Sequence, residues 1–173
     1  MGIAGILWNL IPKNDTFDTR STMPETAPEI TYESTYSQRL DEKRRVPVPH
    51  RWRSGKSEDF HLMIWPKHKA GTCLRVLSPA WMMKLRQKLN ALADDNPKKG
   101  VLKRQIGSRT MTVTVDNAGR ITIPEDMIAA ADLKTDAVFV GMLDRFEIWN
   151  PARHAQMQAL DNAVFTDALE MME

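Results

Sequence analysis

Between Gln38 and Lys56 the chain carries Arg39, Lys43, Arg44, Arg45, Arg51, Arg53 and Lys56 against only Asp41 and Glu42, a net of +5. Such a cluster suits phosphate. Lys and Arg donate charge-assisted hydrogen bonds, and Arg can address a guanine edge with two donors. Elsewhere the sign reverses: residues 1–30 carry a net of −2 and Arg153 to Glu173 a net of −3. The whole-chain charge of +2 therefore hides a polarised sequence, and polarisation is what phosphate binding requires. A second basic run, "KKGVLKRQIGSR", has five cations and no acid. A solvated helix face is its simpler reading.

Other chemistries find little support. His50, His61, His68 and His154 are scattered. The nearest approach to a metal cluster is His61, His68 and Cys73, without the spacing a site requires. No Gly-rich phosphate loop and no serine elbow is present. We therefore expect no enzyme, no metal and no cofactor. One cysteine excludes a disulfide within the chain. No apolar run approaches the roughly 18 residues of a membrane helix, and "MGIAGILWNLIP" lacks the cationic flank of a signal peptide. The expected location is the cytoplasm. Asp41 and Asp116 are expected to shape turns by accepting backbone N–H bonds.

What positions these residues is an internal repeat. "LDEKRRVPVPHRW" aligns with "VDNAGRITIPEDM" at one constant offset: Asp41 falls on Asp116, Arg45 on Arg120, Val46 on Ile121, Val48 on Ile123 and Pro49 on Pro124. "TCLRVLSPAW" aligns with "DRFEIWNPAR" at an offset shorter by three, so that Leu74 falls on Phe146 and Pro79 on Pro151. The difference places three extra residues in the hairpin of the first copy. Each copy predicts the same series. A strand (Tyr36 to Leu40; Thr110 to Val115) enters an Asp-led turn, and a short alternating strand follows (Arg45 to Val48; Arg120 to Ile123). Pro49 and Pro124 then suit the first turn of a short helix. A hairpin comes next, pairing "FHLMIW" with "CLRVL" and "AVFVG" with "RFEIW".

Ser78-Pro79, Asn96-Pro97 and Asn150-Pro151 read as helix starts, a capping side chain before Pro at the first helical position. Trp81, Leu85, Leu89 and Leu92 form a core stripe at helical spacing, and Trp65, Trp81 and Trp149 are expected to pack in the core or at an interface. The last helix is expected from Pro151 towards Leu160, with a frayed acidic tail.

One copy of about 45 residues is below the size at which a hydrophobic core normally suffices, and its strands leave open edges. Two interleaved copies remove both problems, so the expected fold is α+β and β-rich, one compact body with a pseudo-twofold axis and flanking helices. The expected boundaries are a flexible arm over 1–31, a first repeat over 32–80, a helical connector over 81–108, a second repeat over 109–152, and a C-terminal helix and acidic tail over 153–173. Residues 1–12 form either part of the arm or a short docking piece.

The combination of "VTVDNAGRITIPEDM", "AVFVGMLDRFEIW" and "CLRVLSPAW" resembles the MraZ family, over roughly residues 32 to 160. The resemblance implies two AbrB-like swapped-hairpin halves in one chain. It also implies a sequence-specific DNA-binding transcription factor, usually a repressor, of the bacterial division and cell-wall gene cluster. Such a protein forms a ring-shaped homo-oligomer on short repeated promoter boxes, in the cytoplasm at the nucleoid. The implied DNA contacts fall on Lys43, Arg45 and Arg120, with Arg44 as an additional cation, and Asp41, Asp116 and Gly119 shape the turns.

Two departures stand out. Arg44 replaces the Gly expected from the family's Asp-x-Lys-Gly-Arg turn, so either this turn is of another type or Arg44 tolerates strain to add a cation. Ala118 stands where the first copy has Lys43. Two other readings stay open: an interaction module whose basic face modulates a partner such as an RNA-modifying enzyme, and an antitoxin-like regulator of the same superfamily.

Overall fold

The computed structural model of the protein describes residues 30–55 and 57–172. The expected arm up to residue 29, with its docking piece over 1–12, lies outside the described residues, as do Lys56 and Glu173.

The chain forms a mixed α/β fold around a mostly antiparallel sheet. The first copy supplies β1 (Thr35–Arg39), β2 (Arg45–Pro47), β3 (Asp59–His68) and β4 (Gly71–Leu77). Helices α1 (Pro79–Asn90) and α2 (Pro97–Gly107) connect to the second copy. That copy supplies β5 (Thr110–Thr114), β6 (Arg120–Thr122), α3 (Glu125–Ala131), β7 (Asp136–Gly141) and β8 (Phe146–Trp149). Helices α4 (Pro151–Asn162) and α5 (Phe165–Leu169) follow. Six strands form one sheet in the order β1-β7-β8-β4-β3-β5, and β2 pairs with β6 in a separate ribbon.

This order interleaves the copies. β1 pairs with β7, β4 with β8 and β2 with β6, each pairing one strand from either copy, and β5 crosses back to β3 in the same way. The register is symmetric as well. Val46 faces Ile121 and Arg75 faces Glu147, the same residues that the repeat aligns. Exchanging the copies maps both ladders onto themselves. The register also corrects the position of the inserted residues. Tyr36 faces Phe139 and its counterpart Met111 faces Leu62, so Leu62 corresponds to Phe139. The first hairpin is thus five residues longer than the second, and the segment before it is two residues shorter. The net of three comes from two compensating changes, which an ungapped alignment on either side could not separate.

The core follows from this pairing. Val46, Ile121, Ile123, Leu62, Leu74, Ile148 and Phe146 are fully buried in one cluster drawn from both copies. At its centre stands Trp52, only 1% exposed. Its ring lies 4.9 Å from Phe146, 5.1 Å from Tyr36 and 5.8 Å from Tyr32. Its indole N–H donates to the Glu33 carbonyl at 3.0 Å, as a buried Trp needs. The basic stretch therefore contains the largest core anchor of the first copy. Trp149 packs in a second cluster, whereas Trp65 and Trp81 are half-buried.

The three helix starts share one construction. Ser78 Oγ accepts from the Trp81 amide at 3.3 Å, Asn96 Oδ1 from Lys98 at 3.0 Å, and Asn150 Oδ1 from Ala152 at 2.9 Å, each with Pro following. Other expectations change. Pro49 and Pro124 sit at the cap, one residue before the first helical position, and Pro49 leads only into a 3₁₀ turn over His50–Trp52. The stripe Trp81, Leu85, Leu89 and Leu92 is half-buried rather than core, and no residue of α1 is buried. This helix rests on the β3–β4 hairpin and touches α2 without being covered by either. The acidic tail is helical, since α4 reaches Asn162 and α5 with a final 3₁₀ turn continues to Met172. Its Ala, Leu, Met and Glu content favours helix.

One charge is buried in the sheet. Glu147 is 6% exposed. Its Oε1 accepts from Arg75 Nε at 2.9 Å and its Oε2 from Trp149 Nε1 at 3.0 Å. The Arg75 guanidinium in turn lies 3.7 Å from the Trp65 ring centroid. Removing one partner of such a pair strands the other charge, so Glu147→Ala should destabilise the fold by about 3–5 kcal/mol in urea unfolding. Trp52→Ala should cost a similar amount, about 3–5 kcal/mol, through the cavity it leaves.

Candidate nucleic-acid interface

The basic residues converge on two turns, one at the start of β2 and one at the start of β6. In the first, Asp41 Oδ1 accepts the amides of Lys43 and Arg45, both at 2.9 Å. In the second, Asp116 Oδ1 accepts those of Ala118 and Arg120, again at 2.9 Å. The backbone closes in the same way: Arg44 N–H donates to Asp41 O at 2.9 Å, and Gly119 N–H to Asp116 O at 2.8 Å. Each turn is also tied to the other copy. Ile123 N–H donates to Arg44 O at 3.0 Å, and Val48 N–H to Gly119 O at 2.9 Å. Because β2 and β6 run antiparallel, the two turns stand at opposite ends of the ribbon they share.

Matching backbones resolve the question raised by Arg44. Its φ is +59°, in the left-handed region, as is that of Gly119 at +76°. Arg44 adopts the glycine conformation of the same turn rather than building another. Gly119 also leaves its surface open to another side chain. A Cβ there would collide with the guanidinium of Arg53, which lies directly against it.

The predicted contact residues differ in their freedom. Lys43 and Arg44 are exposed, and Arg44 approaches Glu125 at 3.7 Å. Arg45 and Arg120 are half-buried and engaged by their own turn carboxylates. Arg45 Nε and Nη2 both reach Asp41 Oδ2 at 2.7 Å, and Arg120 Nε and Nη2 both reach Asp116 Oδ2 at 2.9 Å. These bonds hold the Asp41 carboxyl below the usual carboxylate range, the Arg45 amide first and the Arg45 side chain after it. Asp116 is lowered chiefly by the Arg120 side chain, then by its amide. The second basic run is partly consumed by structure: Lys99 ties the α1–α2 loop through Asn90 O at 3.1 Å and Asp94 Oδ1 at 2.6 Å.

The scattered histidines stay scattered. His61 shares a hydrogen bond with Thr112 at 3.0 Å, and burial lowers its pKa. His68 stands edge-on to Trp149, and burial pushes the Cys73 thiol up. Among the described residues no three His, Cys, Asp or Glu side chains converge as a metal would need. Among them, too, no helix is long and apolar enough to cross a membrane.

A family profile described as "MraZ protein, putative antitoxin-like" matches residues 107–172, which include the second turn. Over 136 residues the chain is 32% identical to the transcriptional regulator MraZ of Leuconostoc citreum (strain KM20), spanning 78% of this chain and 92% of that protein. The chain belongs to the MraZ family. MraZ of Alcanivorax borkumensis is 29% identical over 133 residues, 76% of this chain and 91% of that protein. MraZ of Thiobacillus denitrificans is 32% identical over 115 residues, 66% and 77% of the two chains. The MraZ matches thus extend well beyond the profile, into the first copy. Two residues of the basic stretch have roles that carry no signal in the sequence. Trp52 is hidden among cations, and the contact of Arg53 with Gly119 spans two copies, so no local pattern marks it.

Two outcomes follow for these turns. A non-glycine residue in the left-handed region costs about 1 kcal/mol, so Arg44→Gly should raise stability by about that amount in urea unfolding. Asp41 and Asp116 have folded pKa values depressed below the unfolded value of about 3.9. Their contribution is therefore complete above about pH 4 and is lost as pH falls through the lower, folded value. Urea midpoints should drop below about pH 4 in the wild type, and by less in Asp41→Asn/Asp116→Asn.

Proposed function

We propose that the protein is a DNA-binding transcriptional regulator that grips duplex DNA through its two Asp-led turns. The observation that carries this reading is the strained Arg44. A left-handed arginine is retained at an exposed turn position where glycine would be easier, next to Lys43, and two exposed cations at a ribbon tip suit phosphate. The relatives named transcriptional regulator MraZ support the same class. In this reading the chain is two AbrB-like swapped-hairpin halves, 32–80 and 109–152, joined by the connector 81–108. The interleaved strand pairing supports that division.

Lys43 and Arg44 hold phosphate. The carboxylates of Asp41 and Asp116 take Nε and Nη2 of Arg45 and Arg120. They orient the guanidiniums before binding and leave Nη1 of each for the DNA. Ordering that is already complete in the free protein need not be supplied on association. Copies arranged in a ring homo-oligomer would multiply these contacts by effective concentration, which suits short repeated promoter boxes. The regulated genes are the division and cell-wall cluster, the action is repression, and the place is the nucleoid in the cytoplasm.

Footprinting on the DNA upstream of its own gene, with the mass measured in parallel, tests the whole reading. Lys43→Ala should weaken binding about tenfold without altering the oligomer, and Arg45→Ala and Arg120→Ala should each weaken it further. Affinity should fall steeply with salt. A flat salt dependence, with wild-type affinity in all three variants, would assign the basic face to a protein partner instead.

A further inference from the structure

The two turns share one backbone but not one charge. From Asp41 to Arg45 the first turn has three cations and two acids, a net of +1. From Asp116 to Arg120 the second has only Arg120 against Asp116, a net of zero. Ala118 occupies the position of Lys43. If both turns face phosphate, the second is short of one unit of net positive charge, lacking counterparts of Lys43, Arg44 and Glu42.

Arg53 lies beside this turn, against Gly119, the counterpart of Arg44. It belongs to the first copy, in extended backbone just after the Trp52 anchor. Its guanidinium reaches across to lie against Gly119, so close that any Cβ there would collide with Cζ and both Nη atoms. Arg53 and Asp116 also line one small cleft beside the second turn, with Asn117. Asp116 itself is committed to Arg120, no carboxylate pairs with Arg53 among the described residues, and the Arg53 Nε is buried without a hydrogen-bond partner. A buried N–H without an acceptor is unfavourable until water or a ligand supplies one. At the offset that aligns the turns, the corresponding residue of the second copy is Ile128, half-buried against the core. The copies therefore differ here: the second copy has an apolar side chain packed on the core where the first has Arg53.

We propose that Arg53 is a DNA-phosphate contact acting at the second turn, which lacks the cations that Lys43 and Arg44 give the first. With Arg53 counted, the second turn carries the same net of +1 as the first. This inference rests on the turn reading above and adds to it a residue contributed in trans by the other repeat. It also accounts for the open space at Gly119 that the guanidinium occupies.

The test uses the full chain and a fluorescent duplex from upstream of its own gene, with anisotropy measured over a series of salt concentrations. Arg53→Gln should weaken binding about fivefold to tenfold and lower the slope of log affinity against log salt by about 0.9 for each turn engaged. Arg53→Lys should retain most of the slope. Adding Ala118→Lys to Arg53→Gln should restore both affinity and slope, which repair of a purely structural role would not do. If Arg53→Gln keeps the wild-type slope while Lys43→Ala lowers it, the turn reading stands and the role of Arg53 is overturned. That role is equally overturned if Arg53→Gln lowers thermal stability and Ala118→Lys fails to rescue binding. If neither Lys43→Ala nor Arg53→Gln changes the slope, the turn reading fails and this inference with it.

Discussion

Strand pairing between the two copies of the repeat is the constraint on which the rest of the fold depends. Among the described residues β2, three residues long, pairs only with β6, β1 only with β7, and β5 only with β3. Neither copy could satisfy these backbone groups alone, and unpaired buried amides and carbonyls are costly. The hydrophobic cluster obeys the same rule, since Val46 and Ile121 bury each other across the ribbon. The turns inherit their positions from this arrangement. Each leads into one strand of the ribbon and is bonded to the other copy through the carbonyl of Arg44 or Gly119.

Within that frame a single carboxylate organises each turn. Asp41 and Asp116 bind two amides and the side chain of the following arginine. This closure is strong enough to impose the glycine conformation on Arg44. Strain at a solvent-facing cationic position is a local disagreement between sequence and fold, and such disagreements concentrate where function is served.

Much of this is readable from the residues. The repeat is legible because Asp, Arg, two β-branched positions and Pro recur at fixed spacing, and the register pairs the aligned residues Val46 and Ile121. Helix starts are legible because Ser or Asn before Pro has a local mechanism. What stays hidden depends on distant partners. Trp52 sits among Arg51 and Arg53, and only its neighbours Tyr36, Phe139 and Phe146 make it core. The half-burial of α1 depends on what covers it, which its periodicity cannot state. The hairpin insertion is misplaced by alignment alone because two length changes of opposite sign cancel in part. Arg53 reaches Gly119 from the other copy, and Arg75 reaches Glu147 across the sheet.

That last pair carries a consequence for how such a chain can have evolved. In a dimer of identical halves, the residue on the symmetry axis faces its own copy. A first half pairing with itself would place Arg75 against Arg75 at a half-buried position, and a second half would place Glu147 against Glu147 at a buried one. Like charges there repel, whereas Arg75 against Glu147 attracts. With opposite signs at this position, each half is a poor partner for itself and a good one for its sibling. The two halves are in effect an obligate heterodimer written on one polypeptide, and this charge inversion stands against any return to free, self-pairing halves.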